Sequence, residues 1–241
     1  MYELKRRTFL SLSSVAGVSW LAGCAAKQGG TTAIEACQGR SPVDDFVWLS
    51  DEQLLVQATR DTFDIVVRGG LGSGVPRARA RSVPPKLDLT SISERMEKTM
   101  GGAGGVGIAG PQVGLYLRVA TLMLDYKSEN PRTIFVRNPV IVDRSDETID
   151  GYEGCLSIPD VGGMVRRNKW IKVEHDTFEG ETITTEAEGY NAVLWQHELD
   201  HLDGILYLDK LLGELLPMEE VRRRREEMGL HSKSLGPVML A

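Results

Sequence analysis

The sequence predicts a chain that mixes strands and helices, and three observations carry that expectation. Runs rich in β-branched and apolar residues at 117–124, 133–142 and 170–175 read as strands. An apolar run over 190–206 reads as a helix and contains Gln196-His197-Glu198-Leu199-Asp200-His201. A charged stretch at 219–228 sets Glu219/Arg223, Glu220/Arg224, Arg222/Glu226 and Arg223/Glu227 four residues apart, which reads as an exposed helix with a solvated arginine face.

A chain of 241 residues can bury one good core, so a single catalytic domain with extensions is expected. Its 28 basic and 34 acidic residues give a net charge of -6, without a long basic block or interleaved aromatics, which excludes nucleic acid as a partner. The cysteines, Cys24, Cys37 and Cys155, are too few and too scattered for a disulfide framework.

Taken in order, the chain opens with Lys5-Arg6-Arg7-Thr8-Phe9-Leu10 and an apolar run ending Leu21-Ala22-Gly23-Cys24. This resembles a twin-arginine export signal joined to a bacterial lipoprotein cleavage box, with Cys24 as the lipidated first residue of the mature chain. The apolar stretch 9–22 is shorter than the ~20 residues that span a bilayer, so a lipid on Cys24 would supply the membrane association. The expected location is the periplasmic side of the envelope, or the cytoplasm if the signal is not used. Residues 1–23 are then the signal and 24–64 a tether with a short extension, in which Ser50 caps a helix over 51–62 and Cys37 has no histidine or acid beside it. The catalytic domain is expected over 65–230, with a tail at 231–241.

Ile65-Val66-Val67 reads as a first short strand before a glycine turn at 69–72, and the alternating arginines of 77–81 as a solvated segment. Leu89, Ile92, Met96 and Met100 follow helical spacing over 91–100, with Thr90 or Ser91 as cap and the methionines in the core. The glycine-rich stretch 104–114 is no dinucleotide site, because Pro111 and Gly114 break the helix a pyrophosphate needs. Its glycines, Gly105 and Gly107 with Val106 between them, leave backbone N–H and C=O groups open to an extended peptide, and Gln112 can offer an amide N–H to an oxyanion.

Gly154-Cys155-Leu156-Ser157 holds the remaining thiol. A lone buried cysteine is commonly a small hydrophobe, but here it can also act as a metal ligand. Gly162-Gly163 is read as a turn, and His175, in an alternating strand, as a surface or hydrogen-bonded residue without a ligand role. On the 190–206 helix His197 and His201 stand one turn apart on one face and can share a metal ion, with Glu198 beside them to take a proton from water. Cysteine plus two histidines leaves one tetrahedral position open, as catalysis requires.

Together, Gly105-Val106-Gly107-Ile108-Ala109-Gly110-Pro111-Gln112, Glu153-Gly154-Cys155-Leu156-Ser157 and Gln196-His197-Glu198-Leu199-Asp200-His201 resemble the three motifs of peptide deformylases, over about 65–230. The resemblance implies an α+β fold, with antiparallel sheets around a central metal-binding helix and a further C-terminal helix. It implies Cys155, His197 and His201 as metal ligands, Glu198 as general acid/base, and Gln112 with the Leu156 N–H as oxyanion donors. One divalent ion is implied, typically Fe2+, with Zn2+, Ni2+ or Co2+ able to replace it. The implied substrate is an N-formylmethionyl peptide held along Gly105, Val106, Gly107 and Gly154. Tyr190, Val193 and Leu194, one or two turns before His197, would with Val106 form an apolar pocket for a methionine-like side chain, or simply pack the core. Glu153 and Arg167 are expected to pair and brace the cysteine loop. The competing function is an envelope metallopeptidase or other N-acyl amidase using the same site.

Overall fold

The computed structural model describes residues 61–66, 77, 79–84, 87–126 and 128–228. The signal at 1–23, Cys24, Cys37, nearly all of the helix expected over 51–62, the glycine turn at 69–72 and the 231–241 tail lie outside them.

Helix α1 (Thr90–Gly102) leads into a short strand β1 (Gly107–Ala109), a 3-10 turn (Gly110–Val113) and strands β2 (Val119–Leu124) and β3 (Arg132–Arg144). A hairpin follows, β4 (Thr148–Cys155) with β5 (Ile158–Asn168), then β6 (Trp170–Asp176), β7 (Thr182–Glu188) and the helix α2 (Gly189–Leu202). A 3-10 turn (Tyr207–Lys210), the two-residue strand β8 (Leu216–Pro217) and helix α3 (Met218–Glu227) complete the described residues. Among them the strands form an antiparallel five-stranded sheet, β1-β2-β3-β6-β7, and a three-stranded sheet, β4-β5-β8. The expected α+β fold of antiparallel sheets about a central helix with a C-terminal helix is therefore the one observed.

Strand β2 shows why the larger sheet can carry a site. Ala120, Leu122 and Leu124 pack with Trp195, Leu194 and Leu199 of α2, whereas Val119 packs with Met96 and Met100 of α1. Burial on both faces turns a strand into a continuous apolar run, as Val119-Ala120-Thr121-Leu122-Met123-Leu124 is. Each fully buried Leu or Met contributes about 1.5–3 kcal/mol relative to exposure, so both helices are fixed firmly to the sheet.

Four local expectations need correction. Thr90 is the first residue of α1, and the capping oxygen belongs to Asp88, whose Oδ1 accepts the Thr90 N–H at 2.9 Å. Gly162 and Gly163 lie inside β5, where a Cβ on Gly162 would collide with the Glu153 carbonyl and one on Gly163 with Leu211. Ile65 and Val66 belong to no strand. The arginines of α3 are not all solvated: Arg225 Nη2 donates to the Tyr152 carbonyl at 2.7 Å and Arg224 Nη1 to the Tyr152 hydroxyl at 2.9 Å, tying α3 to β4. Glu220 pairs with both Arg223 and Arg224, so only part of the expected four-residue ladder forms.

Candidate active site

Helix α2 leaves β7 at Gly189, whose φ of 59° turns the chain, and it runs between the sheets. Leu194, Trp195, Gln196, His197, Glu198, Leu199, His201 and Leu202 are all buried, so the polar members of this stretch must find partners inside the protein. Gln196 does so by bracketing the Asn168 backbone: its Oε1 accepts the Asn168 N–H at 3.0 Å and its Nε2 donates to the Asn168 carbonyl at 2.9 Å. The helix is thereby locked to the end of β5.

The β4–β5 hairpin delivers the thiol. Its register shifts between Gly154 and Cys155, where Cys155 pairs with Ile158 across the Leu156-Ser157 turn. Side chains alternate along β4: a Cβ on Gly154 would come within 2.5 Å of Met218, whereas Glu153 and Cys155 point to the opposite face, toward α2.

Cys155, His197 and His201 converge, their ligand atoms all within 4.8 Å of one another and all three residues buried. Cys155 Sγ lies 3.3 Å from His201 Nε2. A tetrahedral centre with metal–sulfur bonds of ~2.3 Å and metal–nitrogen bonds of ~2.0 Å sets such atoms roughly 3.5 Å apart, so the donors fit a metal ion in both identity and spacing. His197 Nδ1 is 2.8 Å from Glu153 Oε2 and donates to it, which puts the lone pair on Nε2, the tautomer a metal takes.

Glu153 is held in turn by Arg167, whose Nε and Nη2 reach its two oxygens at 2.7 and 2.8 Å. Burial alone would raise the Glu153 carboxyl, but Arg167 and the His197 hydrogen bond outweigh it and bring it down to about 2. Arg167 also pairs with Asp200, one residue before His201, and Asp200 with Lys210 at 2.7 Å. The expected Glu153–Arg167 pair is thus present, while the roles of Asp200 and Gln196 escaped the sequence reading.

Glu198 is fully buried, and neither of its oxygens has a hydrogen-bond partner among the described residues. Burial first, and the Glu153 charge second, hold its carboxyl well above the usual carboxylate range. Burial likewise pushes the Cys155 thiol up. A Cβ on Gly107 would collide with Glu198 Oε1 and come within 2.8 Å of Leu194 Cδ1, so glycine there makes room for the carboxylate. A Cβ on Gly105 would meet Leu156 Cδ1 at 2.8 Å.

Gln112 sits in the 3-10 turn with its side chain oriented from both ends. Its Oε1 accepts the Ala109 N–H at 2.8 Å, which turns Nε2 toward Cys155 Sγ at 3.6 Å and Ser157 Oγ at 3.3 Å. Strand β1 is an edge strand of the larger sheet, with β2 on one side. Leu194 is fully buried in the core with Val106, whereas Tyr190 and Val193 are partly buried at its margin, and the Tyr190 ring packs on Tyr126 at 4.6 Å. His175 is buried and bonded to Thr185 Oγ1 at 2.9 Å, against Trp195 and away from the cluster; of the two placements expected, surface or hydrogen-bonded, the second is the one found.

Comparison with known proteins agrees with this geometry. The model of the polypeptide deformylase family matches residues 72–214. The peptide deformylase of Acetivibrio thermocellus is 42% identical over 151 residues, covering 61% of this chain and 85% of the relative. That of Finegoldia magna is 39% identical over 153 residues, 63% of this chain and 91% of the relative. The solved peptide deformylase of Thermotoga maritima superposes with a TM-score of 0.56 at 37% identity, over 63% of this chain and 99% of that one. A class I type b peptide deformylase of Acinetobacter baumannii solved with Met-Ala-Ser bound gives 0.56 at 33% identity, over 62% and 98%.

Proposed function

Because the chain belongs to the polypeptide deformylase family, we propose that it hydrolyses the formyl group from N-formylmethionyl peptides, releasing formate and a free amine. The observation that carries this reading is the buried Cys155–His197–His201 cluster beside a carboxylate, Glu198, that accepts no hydrogen bond from the described residues. Cys155, His197 and His201 would hold one divalent ion, which when bound supplies Lewis acidity toward the formyl oxygen and toward water. Our reading of the native ion is Fe2+, with Zn2+, Ni2+ and Co2+ as alternatives that the same thiolate and imidazoles suit.

Glu198 takes the proton of the attacking water and returns it to the departing amine. Its burial keeps bulk water from that carboxyl between the two events. The Gln112 amide and the Leu156 N–H donate to the developing oxyanion, and donors of this kind are worth about 3 kcal/mol each. The peptide lies along the edge of β1 at Gly105, Val106 and Gly107 and beside Gly154, with its first side chain against Tyr190, Val193 and Leu194. The Met-Ala-Ser complex of the Acinetobacter baumannii relative supports a peptide of that kind.

We read residues 1–23 as an export signal and Cys24 as a lipid site, on the strength of Arg6-Arg7 and the Leu21-Ala22-Gly23-Cys24 box. Replacing both arginines with lysine should leave the chain in the cytoplasm; unchanged location would refute the export reading. For the chemistry, the chain is purified without oxygen and offered formylated and unformylated Met peptides, with metal analysis of the same sample. Formate release supports the deformylase reading, and cleavage of an internal bond in the unformylated peptide would favour a metallopeptidase.

A further inference from the structure

Residues 61–66 precede the stretch matched by the family model, yet they reach the loop that carries Gln112. The Phe63 N–H donates to Thr99 Oγ1 at 2.8 Å, and the Thr62 carbonyl accepts from Arg95 Nη2 at 3.3 Å. The Arg95 guanidinium lies 3.8 Å from the centre of the Phe63 ring, a cation–π contact against α1. Phe63 is buried in the cluster that also holds Met96, Ile108, Val113 and Leu156, so this short segment is anchored by its ring and its backbone together.

The anchor ends on the backbone of Gln112. In the Gly110–Val113 turn, the Gly110 carbonyl accepts the Leu115 N–H at 2.9 Å and the Pro111 carbonyl accepts the Gly114 N–H at 3.2 Å. The Gln112 carbonyl instead accepts the Val66 N–H at 2.8 Å. A buried carbonyl left without that donor would rotate its peptide to find another, and the Gln112 side chain would swing with it away from Cys155 and Ser157.

We infer that Phe63 to Val66 is a positioning segment: it fixes the Gln112 peptide so that the side-chain amide stays aimed at the Cys155 centre. This rests on the deformylase reading, since the amide matters there as an oxyanion donor. The segment acts through Gln112 and touches no reacting atom.

The test is a double-mutant cycle on the full chain, with formyl-Met-Ala-Ser as substrate. Val66→Pro removes the N–H, and Phe63→Ala removes the anchor. Each should lower kcat about tenfold to a hundredfold, the scale of a donor displaced by about an ångström, with KM and bound metal unchanged. In a Gln112→Ala background neither should lower kcat further, because the group they position is already gone. Phe63→Leu should restore most of the Phe63→Ala loss. Wild-type kcat in both variants, or the same loss repeated in full on Gln112→Ala, would overturn the inference. The Gln112 side-chain amide signals in an NMR spectrum report the same positioning without turnover, and they should shift in both variants. Unmoved signals overturn the inference even if the wild type releases no formate, a result that would count against the deformylase reading instead.

Discussion

His197 donates its Nδ1–H to Glu153 at 2.8 Å, and the same carboxylate is gripped by Arg167 through two further hydrogen bonds. The histidine ring is therefore oriented before any metal arrives, and the strand that carries Glu153 is the one that ends at Cys155. One carboxylate thus couples the geometry of two of the three proposed ligands.

Glu153→Ala should weaken metal binding about tenfold to a hundredfold, the usual consequence of removing a group that orients a liganding histidine. It also takes from the buried Arg167 guanidinium one of its two carboxylate partners, leaving Asp200, which costs at most about 3–5 kcal/mol. Competition of the purified variant against a chelator gives the first figure, and denaturant unfolding the second. Unchanged metal affinity would show that His197 needs no such support.

Gly107→Ala should reduce activity by about a hundredfold while leaving metal content intact. The added methyl has no space between Glu198 Oε1 and Leu194 Cδ1, so the carboxylate must move, and displacements of about an ångström carry losses of that size. Steady-state kinetics beside metal analysis checks both halves.

The pH dependence of stability should carry a contribution from His175. Burial lowers its pKa below the ordinary value of 6.5 in the folded protein. A group depressed by folding favours the folded state above its unfolded pKa, so this contribution is intact above about pH 6.5 and is lost as pH falls through the folded value. Unfolding free energy measured from pH 7.5 to 5 should decline, and His175→Gln, which can keep a bond to Thr185, should flatten that decline.

The proposed catalytic cluster was legible because its pieces carry unusual residue types at short spacing. The i, i+4 histidines around Glu198 define a shared face, and a cysteine between a glycine and a short apolar strand could be read as a ligand, although the turn at Leu156-Ser157 that places it was not read. Met96 and Met100 were legible for a different reason, the helical period of their burial. Asp200 and Gln196 were not, because their partners Arg167 and Asn168 come from a strand about thirty residues away, and nothing in the local pattern fixes which strand meets the helix. Gly162-Gly163 misled for a related reason. Paired glycines usually mark a turn, but here they let the Glu153 carbonyl and Leu211 approach β5 closely. The reach of Val66 to Gln112 depends on tertiary packing alone.

In the proposed reaction Glu198 moves the proton at a site assembled by Cys155, His197 and His201. That role is tested most directly by measuring formate release from formyl-Met-Ala-Ser and bound metal together, in the wild type and in Glu198→Ala. The wild type should release formate, and the variant should keep the same metal content with a rate lower by about a hundredfold or more. A variant that keeps both its metal and its rate of formate release would contradict it.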